Sequence, residues 1–146
     1  MIKRVNDEVT ANICDKLLSK LIKDEKQYNK NIVDSFEVKD YFKNIIQNTN
    51  NILLCFEEEN IVKGYVFFKE IKDDNAIGYL IDGLYVLEKY RNCGIGTKLI
   101  NEGMKLLKNK NISFIDVNVM FKNKKAINIY KTFGFEEFRY TMRKCV

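Results

Sequence analysis

The sequence contains no histidine and no proline, and none of its four cysteines forms a Cys-x-x-Cys pair. Structural zinc sites are built from clustered cysteine and histidine ligands, so the sequence predicts no metal site. Without histidine, mechanisms that need an imidazole base, including activation of a cysteine nucleophile, are disfavoured. We therefore expect reduced thiols that are mostly buried as small apolar side chains.

Long apolar runs are also missing, since none approaches the roughly 18 residues that a membrane-spanning helix needs. The charged N-terminus is not followed by the apolar core of a signal peptide. These two absences predict a cytoplasmic protein with no membrane partner.

A strong excess of one charge is absent as well, because 25 basic and 20 acidic residues give a net charge of +5. The lysines are scattered and do not form one stripe with aromatic residues between them, which is the usual footprint of nucleic-acid binding. No nucleic-acid partner is predicted. The length of 146 residues suits a single domain that spans residues 1–146.

The stretch of residues 82–100 organises the chain. Residues 84–86 have a strand pattern, Gly94 and Gly96 lie in a tight loop, and apolar residues then recur at helical spacing. The predicted helical face consists of Ile95, Leu99, Ile100, Gly103, Leu106 and Leu107. A strand that enters a helix through glycines leaves several backbone N–H groups pointing into one small space, beside the positive end of the helix dipole. Such a corner binds anions, most commonly phosphate.

The spacing Arg91-x-x-Gly94-x-Gly96 narrows the choice of phosphate ligand. No Gly-Lys-Ser/Thr sequence follows, which excludes a Walker loop, and Leu99 stands where a dinucleotide fingerprint needs its third glycine. The spacing resembles the pyrophosphate loop of the GNAT (Gcn5-related N-acetyltransferase) superfamily, whose pattern is Gln/Arg-x-x-Gly-x-Gly/Ala.

Apolar periodicity in the rest of the chain predicts the order β-α-α-β-β-β-α-β-α-β, an α/β (α+β) fold with one mixed, mostly antiparallel sheet flanked by helices. Strands are predicted at residues 2–5, 52–56, 61–68, 76–86, 113–119 and 135–142, and helices at residues 8–23, 34–46, 95–107 and 124–133. The apolar face of the first helix is predicted to consist of Val9, Ile13, Leu17 and Leu21. Asp34 and Glu37 predict a capping box for the second helix, and Gly64 predicts a β-bulge.

A second motif follows the strand predicted at residues 113–119. Its residues are Asn123, Ala126, Tyr130, Gly134 and Phe135. The pattern Asn-x-x-Ala-x-x-x-Tyr-x-x-x-Gly-Phe is similar to the C-terminal motif of the GNAT superfamily, and the element order resembles that fold along the whole chain. In that fold strands four and five splay apart and the cofactor lies between them. One departure is Glu88, which stands where many members have proline.

The resemblance implies an N-acetyltransferase that uses acetyl-CoA. Backbone amides of residues 92–97 would hold the pyrophosphate, and the edge of residues 84–86 would pair with the pantetheine arm and supply an oxyanion donor. Arg91 would either contact the pyrophosphate or fix the loop, and Asn123 would bond the pantetheine arm, cap the next helix, or do both. The implied cofactor-binding residues are Leu84, Tyr85, Val86, Arg91, Asn92, Cys93, Gly94, Ile95, Gly96, Thr97, Asn123, Ala126 and Tyr130.

Tyr130 is implied as the general acid that protonates the departing CoA thiolate. Asp82 is predicted as the general base, because it lies in an otherwise apolar strand and burial raises the pKa of a carboxylate. Alternation would place Asp82 on the same face as Leu84 and Val86. A solvated or paired aspartate is the simpler interpretation of Asp82. The alternative bases are Asp116, Glu70 and water.

The predicted reaction is acetyl transfer to a primary amine of an unidentified small molecule. Two alternatives stay open, namely a protein or peptide N-acetyltransferase and a non-catalytic CoA-binding regulatory module. Residues 21–41, which would help to shape the acceptor site, mix acidic and basic side chains and name no substrate. The resemblance also suggests a homodimer.

Overall fold

The structure, a computed structural model, describes residues 1–146 and contains one five-stranded sheet. The strands follow one another in chain order; β1 to β4 are antiparallel, and β5 is parallel to β4. Their bounds are β1 Ile2–Arg4, β2 Ile52–Glu58, β3 Ile61–Asp73, β4 Ala76–Val86 and β5 Phe114–Val117. The predicted mixed, mostly antiparallel sheet is confirmed, and β4 has the predicted bounds.

Helices cover both faces of the sheet. They are α1 Glu8–Glu25, α2 Phe42–Ile45, α3 Ile95–Leu107 and α4 Lys124–Thr132, with one turn of 3-10 helix at Glu88–Tyr90. One apolar cluster joins α1 and α2 to the sheet residues Tyr65 and Phe67, and this side is the α1 face. A second cluster joins α3 and α4 to Val66 and Phe68, and this side is the α3 face.

The α3 face has an apolar core in which helix and sheet lie very close together. A Cβ added to Gly103 would lie 2.0 Å from the Phe68 ring, so only glycine permits this approach. The predicted helical face is buried as expected except at Leu106, which is 40% exposed.

The α1 face, in contrast, contains buried polar groups. The Asp15 carboxylate accepts hydrogen bonds from the backbone N–H groups of Tyr41 and Phe42, at 3.3 and 3.0 Å. The Ser19 hydroxyl accepts from the Val38 N–H at 2.9 Å. These bonds tie the irregular segment before α2 to the middle of α1.

The second predicted helix is therefore wrong over most of its length, because only Phe42–Ile45 is helical. Side chains of α1 take the backbone donors that a longer helix would have used. Asp40 adopts a left-handed φ of 56°, which interrupts the helical path. The predicted capping box of Asp34 and Glu37 does not form, and Asp34 pairs with Lys26.

The first helix begins at the predicted residue and continues two residues further, to Glu25. Its buried face is rotated from the prediction, since Val9 is 73% exposed whereas Ala11 and Cys14 are fully buried. The four thiols are free. Cys14 and Cys55 are buried, whereas Cys93 and Cys145 are exposed, so the expectation of mostly buried thiols is met by half of them.

Two β-bulges interrupt the sheet. Lys63 has no partner in β2, which confirms the bulge predicted at the neighbouring Gly64. In β4, Ile81 and Gly83 pair with consecutive residues of β3, so Asp82 is the additional residue of the second bulge. Because a bulge adds one residue, side chains beyond it exchange faces relative to strict alternation.

The parallel pairing of β4 and β5 is short. Its last pair joins Ile81 to Val117, and β4 then continues from residue 82 to residue 86 without a neighbour on that side. The predicted splay of strands four and five is confirmed. It opens a gap beside residues 82–86, which we call the β4 gap.

The strand predicted at residues 135–142 is absent. Phe135 N–H donates to the Tyr130 carbonyl oxygen at 3.2 Å, which keeps the chain close to α4 as it leaves the helix. Beyond it, the segment is attached through ion pairs of Glu137 with Lys131 and of Arg139 with Asp73. The alternating apolar side chains that suggested a strand are exposed. They are Phe138, Tyr140 and Met142.

None of the helices combines the length and the apolar character that crossing a bilayer requires.

Candidate active site

The loop between β4 and α3 gathers unpaired backbone donors. The amide nitrogens of residues 92 to 97 donate no backbone hydrogen bond, and no side chain caps the helix. Asn92 and Gly94 have left-handed φ values of 64° and 81°, which turn successive N–H groups toward a common point. The N-terminus of the 13-residue α3 adds its partial positive charge there. The loop therefore offers the unpaired donors expected from its glycines, and we call it the anion-binding corner; that it binds a phosphate stays a prediction.

The two glycines of this corner serve different purposes. Gly94 supplies a left-handed conformation, φ 81°, which glycine adopts without the steric cost of a Cβ. Gly96 is not required by packing, since an added Cβ would lie 3.9 Å from Val86 Cγ2 and 4.0 Å from Leu84 Cδ2. Those are ordinary contacts at the border of the β4 gap. The missing side chain of Gly96 thus leaves space between the corner and the gap.

Backbone groups of β4 face the gap at alternate residues. Leu87 N–H donates to the Lys63 carbonyl oxygen at 2.8 Å, and antiparallel pairing alternates, so the backbone of Tyr85 is directed at β3. The N–H and C=O groups of Leu84 and Val86 then point to the gap side, where the Val86 carbonyl oxygen already accepts a hydrogen bond from Arg91. Of the three strand residues predicted to bind cofactor, Leu84 and Val86 offer backbone groups there.

Arg91 connects the corner to α1. Its Nε donates to the Val86 carbonyl oxygen at 2.8 Å, and its guanidinium pairs with Asp24 at 3.2 Å and lies 5.0 Å from the centre of the Tyr85 ring. These contacts agree with the alternative in which Arg91 fixes the loop. The predicted pyrophosphate contact stays a prediction.

Tyr130 lies on α4 in the apolar cluster that also contains Ile95 and Val86. The residue is only 8% exposed, and burial raises the pKa of its phenol to about 12. The hydroxyl makes no hydrogen bond within the protein, yet it is not sealed from solvent. The phenol of Tyr130 is therefore protonated at neutral pH, and its role as the general acid stays a prediction.

Asn123 begins α4, and its side chain accepts a hydrogen bond from the Ala126 N–H at 3.2 Å, which confirms the predicted cap. Ala126 packs against the cluster that holds Tyr130. Cys93 is exposed in the corner, with Sγ 3.5 Å from the Arg91 carbonyl oxygen.

Asp82 lies at the first position after β4 and β5 separate, but not on the predicted face. The bulge places Leu84 and Val86 on the α3 face, whereas the groups that interact with the Asp82 charge, Glu25 and Tyr41, belong to the α1 side. One side of Asp82 is exposed, and protein atoms against its other side withdraw water and raise its pKa. The expected direction of the pKa shift is confirmed, and the expected face is wrong.

The alternative bases lie away from the gap. Glu70 of β3 pairs with Tyr79, and Asp116 of β5 pairs with Leu80. Both partners lie in the part of β4 that pairs with β5, before the gap begins. Sequence reasoning did not single out Glu25, the last residue of α1, which is half-buried and near enough to Asp82 for burial and then that charge to raise its pKa. No local pattern identifies it, because its position depends on how α1 crosses the sheet.

Comparison with known proteins identifies the class to which this fold and site belong. The model of the acetyltransferase (GNAT) family matches residues 16–135. The chain belongs to this family.

Curated relatives match over part of their length. An N-alpha-acetyltransferase of Sulfurisphaera tokodaii is 44% identical over 77 residues, which are 52% of this chain and 46% of that protein. A thialysine N-epsilon-acetyltransferase of Mus musculus is 39% identical over 57 residues, 39% of this chain and 34% of that protein. The chain thus spans less than half the length of these relatives.

Solved structures match over the whole chain. A mutant of the BH1408 protein from Bacillus halodurans has a TM-score of 0.84 at 18% identity, covering 100% of this chain and 99% of that one. The aminoglycoside acetyltransferase meta-AAC0020, from an uncultured soil metagenomic sample, has a TM-score of 0.76 at 16% identity, covering 100% and 95%. At these identities the structures establish the fold alone.

Proposed function

We propose that this protein transfers the acetyl group of acetyl-CoA to a primary amine of a small molecule. The observation that carries the proposal is the row of unpaired amides at residues 92 to 97, which ends at a gap in the sheet. Those amides suit a diphosphate, because six N–H donors and a helix dipole converge without a competing acceptor. The backbone groups of Leu84 and Val86 suit the amides of a pantetheine arm.

Acetyl-CoA supplies a thioester, whose carbonyl carbon forms the new C–N bond and whose sulfur leaves with the electrons of the C–S bond. Tyr130 gives its phenolic proton to the departing sulfur, and it is available because burial keeps the phenol protonated at neutral pH. A β4 N–H that faces the gap, at Leu84 or Val86, stabilises the developing oxyanion. Asp82 takes the proton that the attacking amine loses, and solvent returns a proton to Tyr130.

The acceptor is proposed to be a small cationic amine. Two relatives are named for acetyl transfer to thialysine and to N-alpha groups, and one structural neighbour is named an aminoglycoside acetyltransferase. The acceptors in these three names are all amines. A protein or peptide N-terminus is the second candidate, and the N-alpha-acetyltransferase relative favours it. A reaction that consumes acetyl-CoA also suits the cytoplasmic location expected from the sequence.

The test is release of free thiol from acetyl-CoA in the presence of amines. The panel contains diamines, aminoglycosides, amino acids and peptides with free N-termini, and mass spectrometry identifies the product. Thiol release with a small amine and an added mass of one acetyl group support the proposal. Acetylation of peptides alone favours the second candidate. Tight acetyl-CoA binding with no turnover on any amine would identify a non-catalytic CoA-binding module instead.

A further inference from the structure

Two carboxylates on the α1 side of the β4 gap have no partner in the protein. Asp82 at the bulge and Glu25 at the end of α1 make no side-chain hydrogen bond and no ion pair, whereas the neighbouring Asp24 is held by Arg91. Burial raises the pKa of Glu25, and the charge of Asp82 raises it further. Two unpaired carboxylates that repel each other, Glu25 half-buried and Asp82 exposed on one side, attract a cation.

A buried hydroxyl lies beside them. Tyr65 is fully buried, and its hydroxyl is the only sealed side-chain polar atom in the structure without a hydrogen-bond partner. It reaches β4 next to Asp82, where a Cβ added to Gly83 would lie 2.6 Å from the hydroxyl oxygen. An unpaired buried hydroxyl is destabilising, so its position beside two unpaired carboxylates indicates a polar site that the protein alone does not complete.

The two carboxylates and two neighbouring phenols form what we call the acidic cluster, which consists of Glu25, Tyr41, Tyr65 and Asp82. The other charges around the acidic cluster do not neutralise it. Lys69 of β3 is the one cation whose charge acts on Asp82, and it is exposed and forms no ion pair with it. The Tyr41 phenol is half-buried near the same carboxylate, and burial and the charges of Asp82 and Asp15 raise its pKa. Both phenols therefore stay neutral at physiological pH.

Resting on the proposed function, we infer that the acidic cluster selects acceptors that carry a second ammonium group, which Glu25 holds while Asp82 serves the reacting amine. A monoamine loses its charge before it attacks, so one carboxylate suffices for it. The second carboxylate has a use only if the acceptor keeps a charge during the reaction. The substrate class is thus a diamine or polyamine, and ω-amino acids are disfavoured because their carboxylate would face Glu25.

The test compares acceptors that differ by one ammonium group. The pairs are 1,4-diaminobutane with butylamine and 1,5-diaminopentane with pentylamine. In the wild-type protein we expect kcat/KM to be at least about tenfold higher for each diamine than for its monoamine. A factor of this size corresponds to the free energy of one charge-assisted hydrogen bond. Glu25→Gln should bring the ratio of kcat/KM between each diamine and its monoamine close to one. Equal values for each pair in the wild type would overturn the inference.

The matched control is Glu102→Gln, which makes the same charge change on α3, across the sheet. It should leave the diamine preference intact. A loss in Glu25→Gln that falls equally on diamines and monoamines, or a similar loss in Glu102→Gln, would show a general electrostatic effect and would also overturn the inference.

Calorimetry separates this inference from the proposed function. If no amine releases thiol, 1,4-diaminobutane is titrated into the wild-type protein and both variants. Binding that weakens only in Glu25→Gln supports the acidic cluster even though acetyl transfer has failed. No binding to the wild-type protein in that titration counts against the cluster itself.

Discussion

The two faces of the sheet use polar groups in opposite ways. The α3 face is an apolar core up to its border, and the donors of the anion-binding corner are backbone amides. The α1 face buries side-chain polar groups, among them Asp15, Ser19 and Tyr65. Binding of a ligand by backbone groups depends on the backbone conformation, which a few glycines determine. Binding of a ligand by side chains depends on which side chains are present, and these can be substituted while the fold stays the same.

This difference accounts for the division of labour that we propose. The cofactor side is fixed by the glycine loop and by the close contact of Gly103 with Phe68. The proposed acceptor side is formed by the end of α1, the bulge at Asp82 and the irregular segment before α2. The first should resist substitution, whereas the second should tolerate it and change specificity.

The largest expected effect concerns Tyr130 on the cofactor side. Tyr130→Phe should lower kcat by about 10²–10⁴-fold, the usual contribution of a general acid. The free energy of unfolding should hardly change, because the hydroxyl has no partner in the protein. Steady-state kinetics and urea denaturation measure both quantities. The control is Tyr140→Phe in the exposed C-terminal segment, and wild-type turnover in Tyr130→Phe would exclude the assigned role.

The next effect tests the close packing of the α3 face. Gly103→Ala should lower the free energy of unfolding by about 1–3 kcal/mol, because its Cβ would overlap the Phe68 ring. Gly96→Ala is the matched control on the same helix, since its Cβ meets only ordinary contacts. Urea denaturation should therefore show a loss for one alanine and none for the other. Equal stabilities of the two variants would contradict the close packing of α3 against Phe68.

A smaller effect is expected where the corner meets the β4 gap. Gly96→Val should raise KM for acetyl-CoA by about tenfold while the fold is retained, because the side chain would occupy space left for the ligand. Asn101→Val, at an exposed position of the same helix, is the control. Unchanged KM in Gly96→Val would place the co-substrate elsewhere.

The smallest effect concerns stability on the α1 face. Burial raises the folded-state pKa of Glu25, so the stability that its proton provides is lost as the pH rises through that value. Glu25→Gln should therefore be more stable than the wild type at pH 7, by about 1 kcal/mol or less. Thermal denaturation should show this advantage shrink as the pH falls, because the wild-type carboxylate becomes protonated too. A constant difference across that range would refute the explanation.

The loop and helix start on the proposed cofactor side could be predicted from the sequence, because the signals for them are local. Gly94 and Gly96 identify the loop, Gly64 marks a bulge, and Asn123 caps α4 as expected. The splay of β4 and β5 came from the resemblance to a family and not from any single residue.

The acceptor side could not be predicted, because its geometry depends on contacts between distant residues. Asp15 lies 27 positions before Phe42 and determines where α2 starts. Asp82 occupies a β-bulge that no local sequence pattern indicates, and the face predicted for it from strict alternation is therefore wrong. The segment 135–142 alternates like a strand, but alternation alone does not supply a hydrogen-bonded neighbour.

The Arg91 side chain has a practical consequence for mutagenesis. It joins the carbonyl of Val86, at the end of β4, to Asp24, the residue before Glu25. Replacing it would release the end of α1 and the end of β4 together. Weaker affinity of an Arg91 variant for both substrates would then be explained by the loss of the contacts that hold α1 and β4 together. It would not show that the Arg91 charge binds the diphosphate.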